Sequence, residues 1–147
     1  MFEIEPDFWV AYMTLAIAQL ADKEVDRAIE TLRNADRLAD GSTQARAFLG
    51  LVLARNGRTN EAEAVLQNLL AAEKTRFVPP TSIAMVYTGL GVTEAALAAL
   101  ERACTVRDTR LILMKTDARW ASLAEQPRFI ALLQKMKLGA YKGLEAI

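Results

Sequence analysis

The sequence predicts an all-α solenoid of three 34-residue helix-turn-helix repeats, followed by C-terminal capping helices. The first observation is an alanine with a leucine four positions later, which recurs at a constant spacing as Ala28 and Leu32, Ala62 and Leu66, and Ala96 and Leu100. The second is that apolar stretches come in pairs, separated by Gly57 and Gly91 in two of the units. A period of this length with paired apolar stretches is typical of stacked helical hairpins.

The period assigns the elements in order. The first helices of the hairpins are predicted near 7–21, 43–56 and 80–90, and the second helices near 25–39, 59–73 and 93–106. Small residues at Ala16, Gly50 and Ala84 allow the two helices of a hairpin to approach closely. Lys23 stands where the other units have a turn glycine. The repeats then cover about 7–40, 41–74 and 75–108 of a single domain, 1–147.

Beyond residue 107 the repeat fades into a predicted cap over 109–138 and a tail over 139–147. Short helices are expected near 111–115 and 118–125, and a longer one over 127–138. In the last, Phe129, Leu132 and Met136 recur on one face, while Arg128 and Lys135 lie elsewhere. One apolar and one charged face suit a helix that covers the end of a solenoid.

The repeat resembles the tetratricopeptide repeat (TPR) family. The resemblance rests on the segments "YMTLAIAQLADKEVDRAIETLRNA", "RAFLGLVLARNGRTNEAEAVLQNL" and "SIAMVYTGLGVTEAALAALERA". They depart from the family pattern at Lys23 and at Leu69, which replaces a small residue. The resemblance implies a right-handed solenoid that binds proteins or peptides and is not an enzyme.

A narrower resemblance covers roughly residues 77–138. The run "LMKTDARWASLAEQPRF" is similar to the TPR-bearing C-terminal region of bacterial signalling proteins, among them winged-helix regulators, nucleotide cyclases and serine/threonine kinases. Lys115, Asp117 and Trp120 match that pattern, whereas Ala118 and Gln126 replace its usual proline and aspartate. This resemblance implies a piece of a bacterial regulatory protein.

Composition narrows the classes of function. The 18 basic and 18 acidic residues cancel, so a nucleic acid or an anionic membrane surface is not an expected partner. The longest apolar run, 8–21, is too short to cross a bilayer, so a cytoplasmic protein is expected. The chain has no histidine and one cysteine, which removes the commonest general base and zinc ligand. We therefore expect no enzyme activity, no metal and no cofactor.

Few residues are candidates for chemistry. Cys104 has no histidine to activate it and is interpreted as a small, half-buried apolar residue. The carboxylate pairs Asp22/Asp26 and Glu61/Glu63 lie beside turns, where charged residues usually form a solvated face. Trp120 is expected to close the end of the solenoid instead of stacking on a ligand.

The predicted binding surface is the inner wall formed by the first helices of the hairpins. It is mostly apolar and lacks the lysines and asparagines with which TPR proteins grip acidic C-terminal tails, so an apolar peptide or helix is the expected ligand. The predicted groove residues are Val10, Met13, Ile17, Leu20, Ala47, Phe48, Leu51, Arg55, Thr81, Met85 and Thr88.

Three alternatives stay open at this stage. Uncovered solenoid ends could form a homodimer, the groove could hold the chain's own tail "GAYKGLEAI" or a second copy, and a small molecule could bind in it. The segment "FEIEP" is in phase with the end of a preceding repeat, which predicts that the chain begins inside a repeat. Either the chain is part of a longer protein or its N-terminal cap is degenerate.

Overall fold

The computed structural model describes residues 8–143, and within them all regular secondary structure is helical. Residues 1–7 and 144–147 lie outside this range, as do the predicted in-phase start and the end of the predicted tail. The α-helices are α1 Phe8–Ala21, α2 Val25–Leu38, α3 Gln44–Arg55, α4 Thr59–Glu73, α5 Pro80–Leu90, α6 Thr93–Thr105 and α7 Pro127–Lys135. Two 3-10 helices, Thr109–Leu113 and Ala118–Leu123, lie between α6 and α7.

The helices pack in adjacent pairs, α1 with α2, α3 with α4 and α5 with α6. The pairs stack because α2 packs on α3, α4 on α5, and α3 on α5. This architecture confirms the predicted all-α solenoid of TPR type. The small residues lie where close packing requires them, since Ala16, Ala28, Ala62, Ala84 and Ala96 are completely buried.

The three hairpin turns share one backbone geometry. Gly57 and Gly91 have φ values of 78° and 74°, and Lys23, which precedes Gly57 by one repeat, has a φ of 62°. A left-handed residue just past a helix allows the chain to reverse, and glycine adopts that conformation without steric cost. Lys23 therefore keeps the turn of the first hairpin at a small cost in strain.

The C-terminal region differs from the sequence prediction in two ways. Both short helices are 3-10 helices, and each begins after an aspartate whose carboxylate accepts a backbone N–H two residues on, from Arg110 to Asp108 and from Arg119 to Asp117. The predicted helix 127–138 ends at Lys135, because Lys137 turns to a positive φ of 58°.

The second and third hairpins approach each other closely at Gly89 of α5. A methyl group on Gly89 would lie 2.9 Å from Cα of Leu51, which is backbone of α3. Gly50 of α3 has a similar position, and a methyl group there would lie 2.9 Å from Cγ2 of Val86 and 3.1 Å from Cγ1 of Val65. The absence of two side chains therefore lets α3 pack closely on α5.

The first hairpin does not repeat this contact. The residue one repeat before Gly89 is Arg55, whose long side chain does not allow α1 the same close approach to α3. Among the described residues, α1 packs extensively on α2 and has no comparable contact with α3. The only residue of α1 that is buried is Ala16.

We predict that Gly89→Ala destabilises the domain. Replacing a helical glycine by alanine ordinarily stabilises a helix by about 0.5–1 kcal/mol. At Gly89 the added methyl group meets the backbone of Leu51, so we expect a net loss of about 1–3 kcal/mol in the free energy of unfolding. Urea denaturation followed by circular dichroism measures this difference.

Gly50→Ala is the matched comparison. Its methyl group meets valine side chains, which shift more readily than backbone, so the loss should be smaller than at Gly89. A gain in stability from Gly89→Ala would contradict the close packing of α3 on α5.

Candidate functional site

The inner wall of the second and third hairpins, which is part of the predicted binding surface, is covered. The predicted groove residues of α3 and α5 are each at most 7% exposed, and they are Ala47, Phe48, Leu51, Thr81, Met85 and Thr88. Leu51 lies in the contact with Gly89, and the Thr88 hydroxyl donates to the carbonyl of Ala84 in its own helix at 2.8 Å. Of the six, Ala47, Thr81 and Met85 line a small cavity, and the other three offer no surface to a ligand in this conformation.

The cover is formed by the two 3-10 helices of the chain's own C-terminal segment, residues 109–143, whereas α7 of this segment packs on α6. The second 3-10 helix packs on α5 and also reaches α3. The guanidinium of Arg119 lies over the ring of Phe48, 5.0 Å from its centre. Arg55 donates from Nη2 to the carbonyl of Arg119 at 2.9 Å. A helix that merely continued the solenoid would contact the third hairpin alone, so this segment lies across the wall.

Trp120 is part of the same cover. Its side chain is 3% exposed and lines a cavity together with Ala47, Met85 and Leu111. The sequence predicted a buried aromatic at the end of the solenoid, and the structure places it against the inner wall.

Polar contacts hold the C-terminal segment together. Arg119 donates to both carboxylate oxygens of Asp117, with its shortest contact, Nη2 to Oδ2, at 2.7 Å. Tyr141 donates its hydroxyl to the carbonyl of Asp117 at 2.8 Å and stacks edge-on against Phe129. The backbone N–H of Lys142 donates to the carbonyl of Lys115 at 2.8 Å. Tyr141 of the tail therefore links Asp117, at the start of the second 3-10 helix, to Phe129 of α7.

Burial shifts two pKa values in this region. Desolvation lowers the pKa of the Arg55 guanidinium, while the charges of Tyr141 and Asp117 act to raise it. Desolvation also raises the pKa of the Tyr141 hydroxyl, as does the charge of Asp117, while Arg55 lowers it. A raised pKa means that the neutral hydroxyl favours the folded state, and this contribution is lost only when the pH rises above the usual tyrosine range.

The cavity beneath the cover has a volume of about 150 Å³. Its polar rim includes Thr81, Ser82 and Arg110, and the hydroxyl of Thr81 donates to Oδ2 of Asp108 at 2.6 Å. Sites for drug-sized ligands typically measure about 300–1,000 Å³. The cavity is smaller than such sites, which disfavours the small-molecule alternative.

The predicted groove residues of the first hairpin lie in different surroundings. Val10 and Ile17 are 45% and 42% exposed, while Met13 and Leu20 are half-buried against the core. Arg55 is half-buried beside the C-terminal segment. The structure therefore brings the predicted residues of α3 and α5 together beneath the cover, and leaves those of α1 outside it.

The cysteine and the carboxylates that the sequence analysis considered for chemistry lie on the helices and turns of the repeats. Cys104 is half-buried on α6. Glu61 accepts from Arg58 and Arg33, which lower the pKa of its carboxyl, with the Arg58 hydrogen bond as the largest cause. Within residues 8–143 no cluster of three or more histidine, cysteine or carboxylate side chains could hold a metal.

Sequence reasoning missed Arg119, and it included Tyr141 only as part of the tail that could fill the groove. Neither lies within the repeats, so the period gave no register for them. The one usable signal was the resemblance at residues 115–129, which predicted an ordered cap but not where it packs.

Comparison with known proteins supports the repeat assignment. Residues 19–78 match a family model described as tetratricopeptide repeat. The match extends from the end of α1 through α4, so over these hairpins the chain is similar to TPR proteins. No match was found among curated proteins or among solved structures. None of the described helices is long and apolar enough to cross a membrane.

We predict that Arg119→Ala loosens the cover. The change removes the cation over Phe48 and the paired contacts with Asp117, so we expect a loss of about 1–3 kcal/mol in the free energy of unfolding. Fluorescence in a Trp9→Phe background reports Trp120 alone, and its emission should shift to the red. Arg102→Ala, which removes an exposed ion pair with Glu73, is the control and should change little. Unchanged emission from the Arg119 variant would contradict the assigned cover.

Proposed function

We propose that this chain is a non-catalytic protein-interaction module that binds an apolar peptide or helix along α1. TPR repeats generally mediate contacts between proteins, and the match over residues 19–78 supports that class of function. The proposed site is the inner side of α1, with Val10 and Ile17 as its exposed apolar residues and Met13 and Leu20 at its base.

The observation that carries the proposal is the composition of α1. Its sequence, "FWVAYMTLAIAQLA", has no charged residue, yet Phe8, Val10, Leu15 and Ile17 are each more than 40% exposed. A helix that is apolar on all sides is ordinarily buried on all sides. Exposed apolar surface of this kind on a folded domain favours a site for another protein.

The covered wall takes part in the proposal only if the C-terminal segment moves away. Ala47, Phe48, Leu51, Thr81, Met85 and Thr88 then become the second half of the groove, next to Arg55. Opening would have to overcome the contacts of Arg119 and Tyr141, so we propose that the resting protein binds through the first hairpin.

The expected affinity is low. An apolar segment on Val10 and Ile17 buries little more than one or two side chains, worth roughly 2–5 kcal/mol. The cost of association is about 4–15 kcal/mol, so binding of an isolated peptide should be weak. Useful affinity then requires a tether or a second contact.

The finer parts of this role are also proposals. The resemblance at residues 77–138 supports a place in a bacterial regulatory protein, with the cytoplasm as its location. The alternative is a homodimer through the uncovered end of the solenoid, which the exposed apolar residues of α1 would also allow. Molar mass in solution separates these two functions.

We predict that Ile17→Glu abolishes peptide binding and leaves the fold intact. Peptides selected from a displayed random library on the immobilised wild-type chain should be apolar and should bind the variant at least tenfold more weakly. Ile17 is 42% exposed, so the free energy of unfolding should change by about 0.5 kcal/mol or less. Fluorescence anisotropy with a labelled selected peptide measures the affinity.

Ala98→Glu, at an exposed position of α6, is the matched control and should keep full affinity. Equal binding by the Ile17 variant, or a library that yields no apolar peptide, would refute the proposed site.

A further inference from the structure

The repeat register identifies a second apolar face on α1. Ala11, Leu15 and Ala18 lie along one side of the helix, roughly a third of a turn away from Val10 and Ile17. All three are exposed, and Leu15 is 47% exposed. We call these three residues the stacking face of α1.

The equivalent faces in the other hairpins are buried. In the repeat register, Leu15 corresponds to Leu49 and Ile83, which are 6% and 1% exposed. Ala18 corresponds in the same way to Val52 and Val86, which are 2% and 0% exposed. Residues that the repeat keeps apolar in all three units are thus covered in two of them and open in the first.

The structure also shows what covers the buried faces. α3 packs on α2, whereas α5 packs on both helices of the preceding hairpin, and Val86 of its face lies against Gly50 of α3. The face of α3 is the nearest parallel to that of α1, because α2 packs on α3 and α1 has no comparable contact with it. The occupant of such a face is an amphipathic helix with small and branched apolar residues along one stripe.

From this register we infer that the stacking face of α1 docks an amphipathic α-helix of a partner protein, one that carries the apolar stripe of a TPR second helix. In α2 that stripe is Ala28, Ile29, Leu32 and Ala35, all buried. The partner helix would extend the stack by one layer and would be uncharged where it meets Ala11, Leu15 and Ala18.

Other occupants fit less well. The stripes of α2, α4, α6 and α7 are already buried in this fold, so none of these helices is available to cover α1. A second copy offers its own α1 and the exposed Ile112 and Leu113 of the first 3-10 helix, and neither is an amphipathic helix with a free apolar stripe. Two helices of 14 residues, about 21 Å long, give a smaller contact than the roughly 1,200–2,000 Å² of a stable dimer.

This inference uses a different side of α1 from the proposed peptide site, so the two can fail separately. Leu15→Glu tests the stacking face and Ile17→Glu tests the inner side. Both residues are more than 40% exposed, so neither substitution should unfold the domain.

The experiment supplies a helix of known chemistry in register. A copy of residues 25–41 replaces residues 1–7, directly before Phe8, because Ser42 follows Phe8 by one full repeat. We expect the thermal midpoint to rise by about 4–8 °C, since a new layer buries the stacking face. Leu15→Glu in the extended chain should remove most of this rise, whereas Ile17→Glu should preserve it.

A second measurement keeps the test independent of whether the extended chain folds. A fluorescein-labelled peptide of residues 25–38 is titrated with the unextended chain, and Leu15→Glu should weaken its binding at least tenfold relative to wild type and to Ile17→Glu. A failure of both the midpoint rise and the peptide binding would overturn the inference. The inference would also be overturned if Leu15→Glu changed neither the midpoint rise nor the peptide binding. The same holds if the wild-type chain is a dimer that Leu15→Glu converts to a monomer.

Discussion

The close packing of α3 on α5 determines how the rest of the domain is arranged. Gly89 lets the backbone of Leu51 approach, and Gly50 makes room for Val86. At the equivalent place between the first and second hairpins, Arg55 replaces glycine, and α1 has no comparable contact with α3. One large residue in place of this glycine thus accounts for a tight pair of hairpins beside a first hairpin whose first helix, α1, is largely exposed.

The C-terminal segment is a second difference between the first hairpin and the other two. It crosses α3 and α5, where Arg119 lies over Phe48 and Trp120 closes the cavity. Most of the apolar inner wall is therefore covered within the chain, and among the described helices α1 keeps four large apolar residues exposed. The proposed binding sites follow from that distribution of exposed surface. They are placed on α1 because the described part of the chain leaves its apolar residues uncovered.

The sequence predicts the helices of this fold well because the same pattern of two helices recurs in each of the three repeats. Six α-helices begin and end within one position of their predicted bounds, and Lys23 adopts the left-handed turn that its register demands. Burial of the inner wall could not be predicted in this way. The contact between Phe48 and Arg119 joins residues far apart in sequence, and Arg119 lies beyond the last repeat, where no period relates it to α3.

The most direct test of this account is photochemical carbene footprinting of the native chain, which labels side chains in proportion to their exposure. The account predicts strong labelling of α1, at Val10, Leu15 and Ile17, and weak labelling of Phe48, Leu51 and Met85 on the inner wall. Equally strong labelling of both sets would show that the wall is open and that the C-terminal segment does not cover it.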